Sequence, residues 1–316
     1  KLPQSKEKRK EKIAVVGAGP SGLTCAAFLR ENGYNVTVYE KYEHLGGLLY
    51  HGIPEFRLDK KTLNKTIEKI INLGVEIKTN CELGVNIQLQ DLEKEYDAIF
   101  LGFGANISRK MNIDGETLNG VYGGNELLEK NLHPDYKNKK VAVIGGGNVA
   151  MDTARTIKKL GANEVTVIYR RSEKEMPAEV HEIEEAKNEK IEFLYQTNPV
   201  KIIGKNKVEK IECVKMELKQ KENETRLSPV EIPNSNFTID LDYIVMAVGS
   251  KPESNILEKL NLELTDRGHI KIDKNNQTSN QKIFAGGDLA GAKGTVAWAS
   301  RSGRNAAYSI MNFLQK

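Results

Sequence analysis

Two stretches of this sequence place glycines where backbone chemistry on a dinucleotide would need them. The earlier one is GAGPSG, residues 17–22, between the apolar run 13–16 and an amphipathic segment, 23–31. Gly17 permits a tight turn, Gly19 lets backbone approach a pyrophosphate, and Gly22 lets helix and strand pack closely. N–H groups at the start of the helix face the phosphates, and the helix dipole favours their charge. The later stretch, VAVIGGGNVAMDTARTIKKLGANEVTVIYRR over 141–171, repeats the design with Gly145, Gly147 and Ala150. A lone glycine motif means little, but each copy here has strand, helix and second strand in place.

The copies differ where the second strand ends. Glu40 stands there in the first, placed to accept hydrogen bonds from ribose hydroxyls and to repel a 2′-phosphate. Arg170 and Arg171 stand there in the second, and guanidinium groups bind a 2′-phosphate through charge-assisted, often bidentate, bonds. The first site therefore suits FAD or NAD and the second NADP. FAD together with NADPH implies hydride transfer, which needs contact and orientation more than an acid or base. No catalytic base is assigned for that reason.

The elements that must position these residues can be read along the chain. A strand at 36–39 follows the first helix, then HLGGLLYHGIPEFRLDK, 44–60, with Gly46, Gly47, Gly52 and Pro54 too close together for helix or strand. Such a loop suits backbone laid along a long ligand, and equally an ordinary surface loop. A helix is expected at 61–73, strands at 75–77 and 96–101, and a polar helical stretch at 121–136. Beyond the arginines come a turn at Pro177, an acidic helix read as a solvated face, a strand at 191–194 and a hairpin over 201–218. The strand 242–249 ends in glycine as 96–102 does, so the order of elements is duplicated and predicts two similar α/β domains. Near the end, a short strand delivers Gly286, Gly287 and Asp288 beside a long helix, 295–314. Asp288 could bind a ligand hydroxyl while the helix start faces developing negative charge; a capped helix with a turn aspartate fits the same residues.

Composition bounds the function. The chain has 316 residues, 39% apolar and 28% charged, which fits two globular domains. A net charge of +4, with no basic stripe interleaved with aromatics, argues against nucleic acid as a partner. No run of about eighteen apolar residues is present, so no membrane span is expected. Cys25, Cys81 and Cys213 are dispersed and give neither a redox dithiol nor metal-ligand spacing, which suits a reduced, cytoplasmic setting without a bound metal. Residues 1–12 read as a charged linker or tail.

The segments GAGPSG, YEKYEHLGGLLYHGIPEFRL, GGGNVAMDTARTI, YRRSEKEMPAE, and IFAGGD with GTVAWASRSGRNAA resemble the small, electron-input subunit of NADPH-dependent glutamate synthase. The resemblance extends to the reductase portion of dihydropyrimidine dehydrogenase and covers nearly all of the chain from Lys12. It implies an α/β fold of two Rossmann-like, three-layer nucleotide-binding domains similar to those of thioredoxin reductase, the NADPH domain inserted in the FAD domain. The FAD domain would take 13–120 and 250–316, and the NADPH domain 121–249. It implies an NADPH-dependent flavin oxidoreductase passing electrons from NADPH through FAD to an iron–sulfur domain or a partner protein, such as the glutamate synthase large subunit. Matching positions imply FAD contacts from Gly17, Gly19, Pro20, Ser21, Gly22, Glu40, Gly47, Leu48, Arg57, Asp288, Thr295 and Val296. They imply NADP(H) contacts from Gly147, Asn148, Val149, Arg170 and Arg171, and Lys41, Gly52, Gly104, Gly249 and Gly287 complete the cofactor-binding set.

This sequence departs from the family at His51, Asp59, Asp114 and Lys293-Gly294, and it does not include the family's cysteine-rich, cluster-binding N-terminal domain. The expectation is a fragment cut at the 1–12 linker. A stand-alone NADPH:ferredoxin-type reductase and a non-catalytic nucleotide-binding scaffold are the alternatives. Thioredoxin reductase activity is excluded, because its dithiol would lie in the NADPH domain, where Cys213 stands alone.

Overall fold

Each glycine motif begins where the middle strand of a parallel sheet ends. The computed structural model describes residues 8–220 and 227–315, so the first seven residues of the expected tail lie outside the described residues. The chain forms two units: Lys1–Asn106 joined with Lys251–Lys316, and Ile107–Ser250 between them.

In the first unit five parallel strands run in the order Ile283–Ala285, Ala98–Leu101, Lys12–Val16, Asn35–Tyr39 and Glu76–Lys78. The run at 13–16 is apolar without alternation because both faces of the strand are covered. Ile13 and Val15 pack with Cys25 and Leu29 of helix Pro20–Glu31, Leu63 and Ile67 of helix Lys60–Ile71, and Ala306 and Ile310 of helix Val296–Leu314. Ala14 and Val16 face the other layer, where Leu89, Leu92, Leu257 and Leu260 lie. Gly303 lets the last helix close on the first, since a Cβ there would sit 2.0 Å from the Ser21 carbonyl oxygen. Asp59, one of the departures noted above, caps helix Lys60–Ile71 by accepting from the N–H groups of Lys61 and Thr62 at 3.2 and 2.9 Å.

The second unit repeats the plan with five parallel strands in the order Val121–Gly123, Tyr243–Met246, Lys140–Ile144, Glu164–Ile168 and Glu192–Leu194. Its helical face buries Val141 and Val143 against Ala150, Met151, Ala154 and Ile157. Its other face is covered by an antiparallel sheet through Ile202, Ile211 and Cys213, with Val208 from the connection between two of its strands. Three layers result, with sheet replacing helix on one side.

Three expectations need correction. Residues 121–136 are not helical throughout, because Val121–Gly123 is a strand beside Tyr243–Met246 and only Gly124–Lys130 is helix. The glycine-rich loop contains one helical turn, Leu48–His51. The first crossing between units falls after Asn106, not near residue 120, because the intervening segment pairs into the second unit. Ile202 N–H donates to the Asp114 carbonyl at 2.8 Å and Val208 N–H to the Asn119 carbonyl at 2.9 Å. Gly115, at φ +85°, lies so close to Ile202 that a Cβ would sit 2.2 Å from its carbonyl oxygen.

The acidic helix Val180–Asn188 is more than a solvated face. Arg155, whose side chain is 8% exposed, donates to Glu182 at 2.5 Å and to Glu189 at 2.9 and 3.1 Å. A guanidinium fork reaches several carboxylates at once, which an ammonium on a flexible stem does not. Arg155→Lys should therefore lower stability by about 1–2 kcal/mol in urea unfolding, and an unchanged midpoint would contradict that assignment.

Candidate functional site

In the first unit the fold draws several of the candidate residues into one locus. Gly17, at φ +101°, lies against Gly102, leaving 2.7 Å between a Cβ and that carbonyl oxygen. A Cβ on Gly22 would stand 1.9 Å from the Gly17 carbonyl oxygen, so this turn admits no side chain at either glycine. The helix that follows begins with Pro20 after an extended Gly19, and no side chain caps it. Its first N–H groups therefore depend on water or a ligand. The glycine-rich loop folds onto this turn: Gly46 N–H donates to the Ala18 carbonyl at 2.9 Å, and Gly47 approaches until a Cβ would meet Gly19 Cα at 2.8 Å.

Glu40 is 5% exposed at the end of its strand. Its Oε2 accepts from Ala18 N–H at 2.8 Å and its Oε1 from Tyr42 N–H at 3.0 Å. One acceptor site on each oxygen is thereby used, and the carboxylate is fixed beside the glycine turn with capacity remaining for ligand hydroxyls. Gly287, at φ +65°, abuts Ser21, and Asp288 follows it. Ser21 Oγ and Asp288 Oδ1 are both buried without a hydrogen-bond partner. Two orphaned polar atoms on adjoining segments fit a ligand that carries hydroxyl and phosphate groups. Thr295 caps the long helix by accepting from Trp298 N–H at 3.3 Å, and Val296 is exposed at its first turn.

Other candidates stand less directly in this locus. Gly52 closes the turn at Leu48 through its N–H, which donates to the Leu48 carbonyl at 2.9 Å. Arg57 N–H donates to the Pro54 carbonyl at 3.0 Å, and Lys41 Nζ lies 4.6 Å from the centre of the Tyr42 ring. Gly104, at φ +83°, lies beside Asn106.

Burial pushes the Asp288 carboxyl above its ordinary range. In the ligand-free protein, stability that is complete below the unfolded value, about pH 4, is lost as pH rises through the raised folded value. Asp288→Asn removes the titration and should flatten that loss, measured by urea unfolding from about pH 4 upward. The same pH slope in variant and wild type would contradict it.

In the second unit Gly145, at φ +143°, leaves 2.2 Å between a Cβ and the Ala247 carbonyl oxygen. Gly147 is an extended N-cap with no side-chain cap on helix Asn148–Lys159. Val149 packs beside Gly124. Arg170 is exposed and Arg171 half-buried, and Arg171 Nη1 is buried without a hydrogen-bond partner. An unsatisfied guanidinium nitrogen in the loop just past the strand that follows the glycine turn fits an anionic ligand group. Gly249, at φ +119°, is close to Arg109, whose N–H donates to the Gly249 carbonyl at 2.9 Å.

Sequence reasoning passed over two positioning residues. Ser302 Oγ accepts from Gly287 N–H at 3.0 Å, and Asn276, at φ +60°, donates to the Ala285 carbonyl at 3.2 Å. Neither belongs to a spaced motif; their roles come from bonds between segments far apart in sequence. Among the described residues, no group of three or more His, Cys, Asp or Glu side chains could hold a metal, and no helix is long and apolar enough to cross a membrane.

The model of the family described as pyridine nucleotide-disulphide oxidoreductase matches residues 11–306. Among curated proteins, the glutamate synthase [NADPH] small chain of Escherichia coli (strain K12) is 35% identical over 325 residues, covering 96% of this chain and 69% of that protein. The NADP(+)-dependent formate dehydrogenase subunit beta of Moorella thermoacetica is 38% identical over 315 residues, covering 97% of this chain and 44% of that protein. Among solved structures, FprA from Mycobacterium tuberculosis in complex with NADPH superimposes with a TM-score of 0.87 at 20% identity, over 97% of this chain and 85% of that one. Thioredoxin reductase from T. acidophilum gives 0.71 at 20% identity, over 97% and 100%. Both structures share the fold.

Proposed function

The chain belongs to the pyridine nucleotide-disulphide oxidoreductase family, and we propose on that basis that it carries electrons from NADPH through FAD to an iron–sulfur domain or partner protein, as a glutamate synthase small subunit would. One observation carries the assignment of nucleotides. Just past the strand that follows each glycine turn, one unit presents the buried carboxylate of Glu40 and the other, with Tyr169 in the place equivalent to Glu40, presents the unpartnered guanidinium nitrogen of Arg171 two residues further on. A carboxylate there disfavours a 2′-phosphate and a guanidinium favours one.

FAD would be held in the first unit. Helix N–H groups at Pro20–Glu31 and the backbone of Gly19 and Gly47 take its pyrophosphate, Glu40 its ribose hydroxyls, and Asp288 with Ser21 the polar groups between. NADPH would be held in the second unit by the start of helix Asn148–Lys159 and by Arg170 and Arg171. Bound flavin supplies two-electron acceptance from a nicotinamide and onward electron release, chemistry that no side chain provides. The start of helix Val296–Leu314 contributes unsatisfied N–H groups and a positive dipole end, suited to negative charge on a reduced ring. The reaction belongs in the cytoplasm, where NADPH and low-potential carriers are available.

Heat-releasing the cofactor from purified protein and identifying it by chromatography tests the first half of this reading, with FAD expected at roughly one per chain. NADPH oxidation coupled to ferricyanide tests the second. Protein that releases no flavin, or that leaves NADPH unoxidised when loaded with FAD, rejects the proposal. Mixing reduced protein with a glutamate synthase large subunit or an isolated iron–sulfur carrier separates the possible acceptors.

A further inference from the structure

Asn148 stands at the first position of the second unit's nucleotide helix, where its side chain would be expected to touch ligand. Its amide oxygen is engaged within the protein. Asn148 Oδ1 accepts from the backbone N–H of Glu179 at 3.0 Å. The neighbouring N–H, of Ala178, donates to the Gly146 carbonyl at 3.1 Å. Thus the far end of the loop that carries the two arginines is pinned to the glycine turn. Its near end is held there too: the Tyr169 ring covers Gly146 so closely that a Cβ would come within 2.6 Å of it. Between these ends the loop braces itself. Tyr169 OH donates to the Glu175 carbonyl at 2.8 Å, and Ser172 with Glu175 forms a reciprocal capping box.

The structure assigns Asn148 a positioning role: it latches the loop 170–179 to the glycine turn and so holds Arg171 where a 2′-phosphate would bind, making it a determinant of NADPH over NADH rather than a general nucleotide contact. This rests on the reading of the second unit as the NADPH site. The physical basis is the closed path. A loop tethered at one end samples many arrangements of a long arginine side chain, and tethering the second end removes most of them before ligand arrives. The amide of Asn148 bears no net charge, so its removal takes no ionic attraction away from the phosphate. Its effect passes through the Glu179 N–H and is expected to fall on ligands that use Arg171.

The experiment is calorimetric binding of 2′,5′-ADP and of 5′-AMP to the full flavin-loaded chain, wild type and Asn148→Ala, with amide exchange followed at Glu179. The variant should weaken 2′,5′-ADP by roughly five- to twentyfold and leave 5′-AMP within about twofold, while exchange at Glu179 accelerates. Asn148→Asp, which keeps an acceptor oxygen on the same side chain, should retain protection at Glu179. Equal weakening of both ligands would make Asn148 a direct contact and overturn the inference, as would unchanged binding of both or loss of protection in the aspartate variant. Wild-type protein that binds the two ligands alike would instead overturn the assignment of the NADPH site itself, so the two failures are distinguishable.

Discussion

Replacing Arg170 and Arg171 together with alanine should raise the KM for NADPH by roughly 10²- to 10³-fold and leave NADH kinetics nearly unchanged. Hydrogen bonds to charged groups contribute about 1.5–3 kcal/mol each, so two of them correspond to roughly 10²- to 10⁴-fold, and solvent screening at Arg170 keeps the expected change in the lower part of that range. The residues should contribute unequally. Arg171 is half-buried, with Nη1 out of contact with water and without a hydrogen-bond partner, whereas Arg170 is exposed. The better-shielded guanidinium should carry most of the discrimination, and Arg171→Ala alone should approach the double variant. A charge at Arg170 is screened by solvent and salt, so its share should shrink as ionic strength rises. Steady-state kinetics with both nucleotides at two salt concentrations would check each part. A double variant that kept its preference for NADPH would remove the basis for assigning the second unit.

A methyl group on Gly22 should abolish flavin retention. The Cβ would sit 1.9 Å from the Gly17 carbonyl oxygen and 3.2 Å from Val15 Cγ1. The obstruction is backbone, so no rotamer change relieves it, and the first helix would have to withdraw from the central strand. That withdrawal moves the uncapped helix start away from Gly19 and the Gly46-Gly47 loop that folds over it. Gly161→Ala is the informative comparison. Gly161 is also left-handed, at φ +96°, but nothing lies within 4 Å of its Cβ position. It should cost about 1–2 kcal/mol of backbone strain and leave the flavin in place. If Gly22→Ala purified yellow with a normal cofactor content, close packing at this turn would not be what the glycine serves.

Much of this was legible in the sequence because the glycine motifs report backbone requirements, and backbone requirements are local. Gly17 and Gly145 stand at positive φ against the carbonyl just past the end of a neighbouring strand, as the turn demands. The apolar runs at 13–16 and 141–144 became middle strands because a strand covered on both faces has no polar positions to display. What escaped depended on partners far away in the chain. Val121–Gly123 carries no strand signal by itself and is ordered by its place beside Tyr243–Met246. The acidic helix looked solvated because Arg155 precedes it by a strand and a loop. Asn148 was read as a ligand contact from its motif position, and only the folded loop reveals Glu179 as its partner. Ser302 and Asn276 position the Gly287-Asp288 turn through bonds that no spacing rule anticipates.

Anaerobic titration of the purified protein with NADPH, followed by visible absorbance, bears most directly on the claim that one chain joins a flavin site to an NADPH site. The protein should be yellow, and about one equivalent of NADPH per flavin should bleach it, with NADH far less effective at the same concentration. A colourless protein that takes up no FAD, or a yellow one whose absorbance NADPH leaves unchanged, would contradict it.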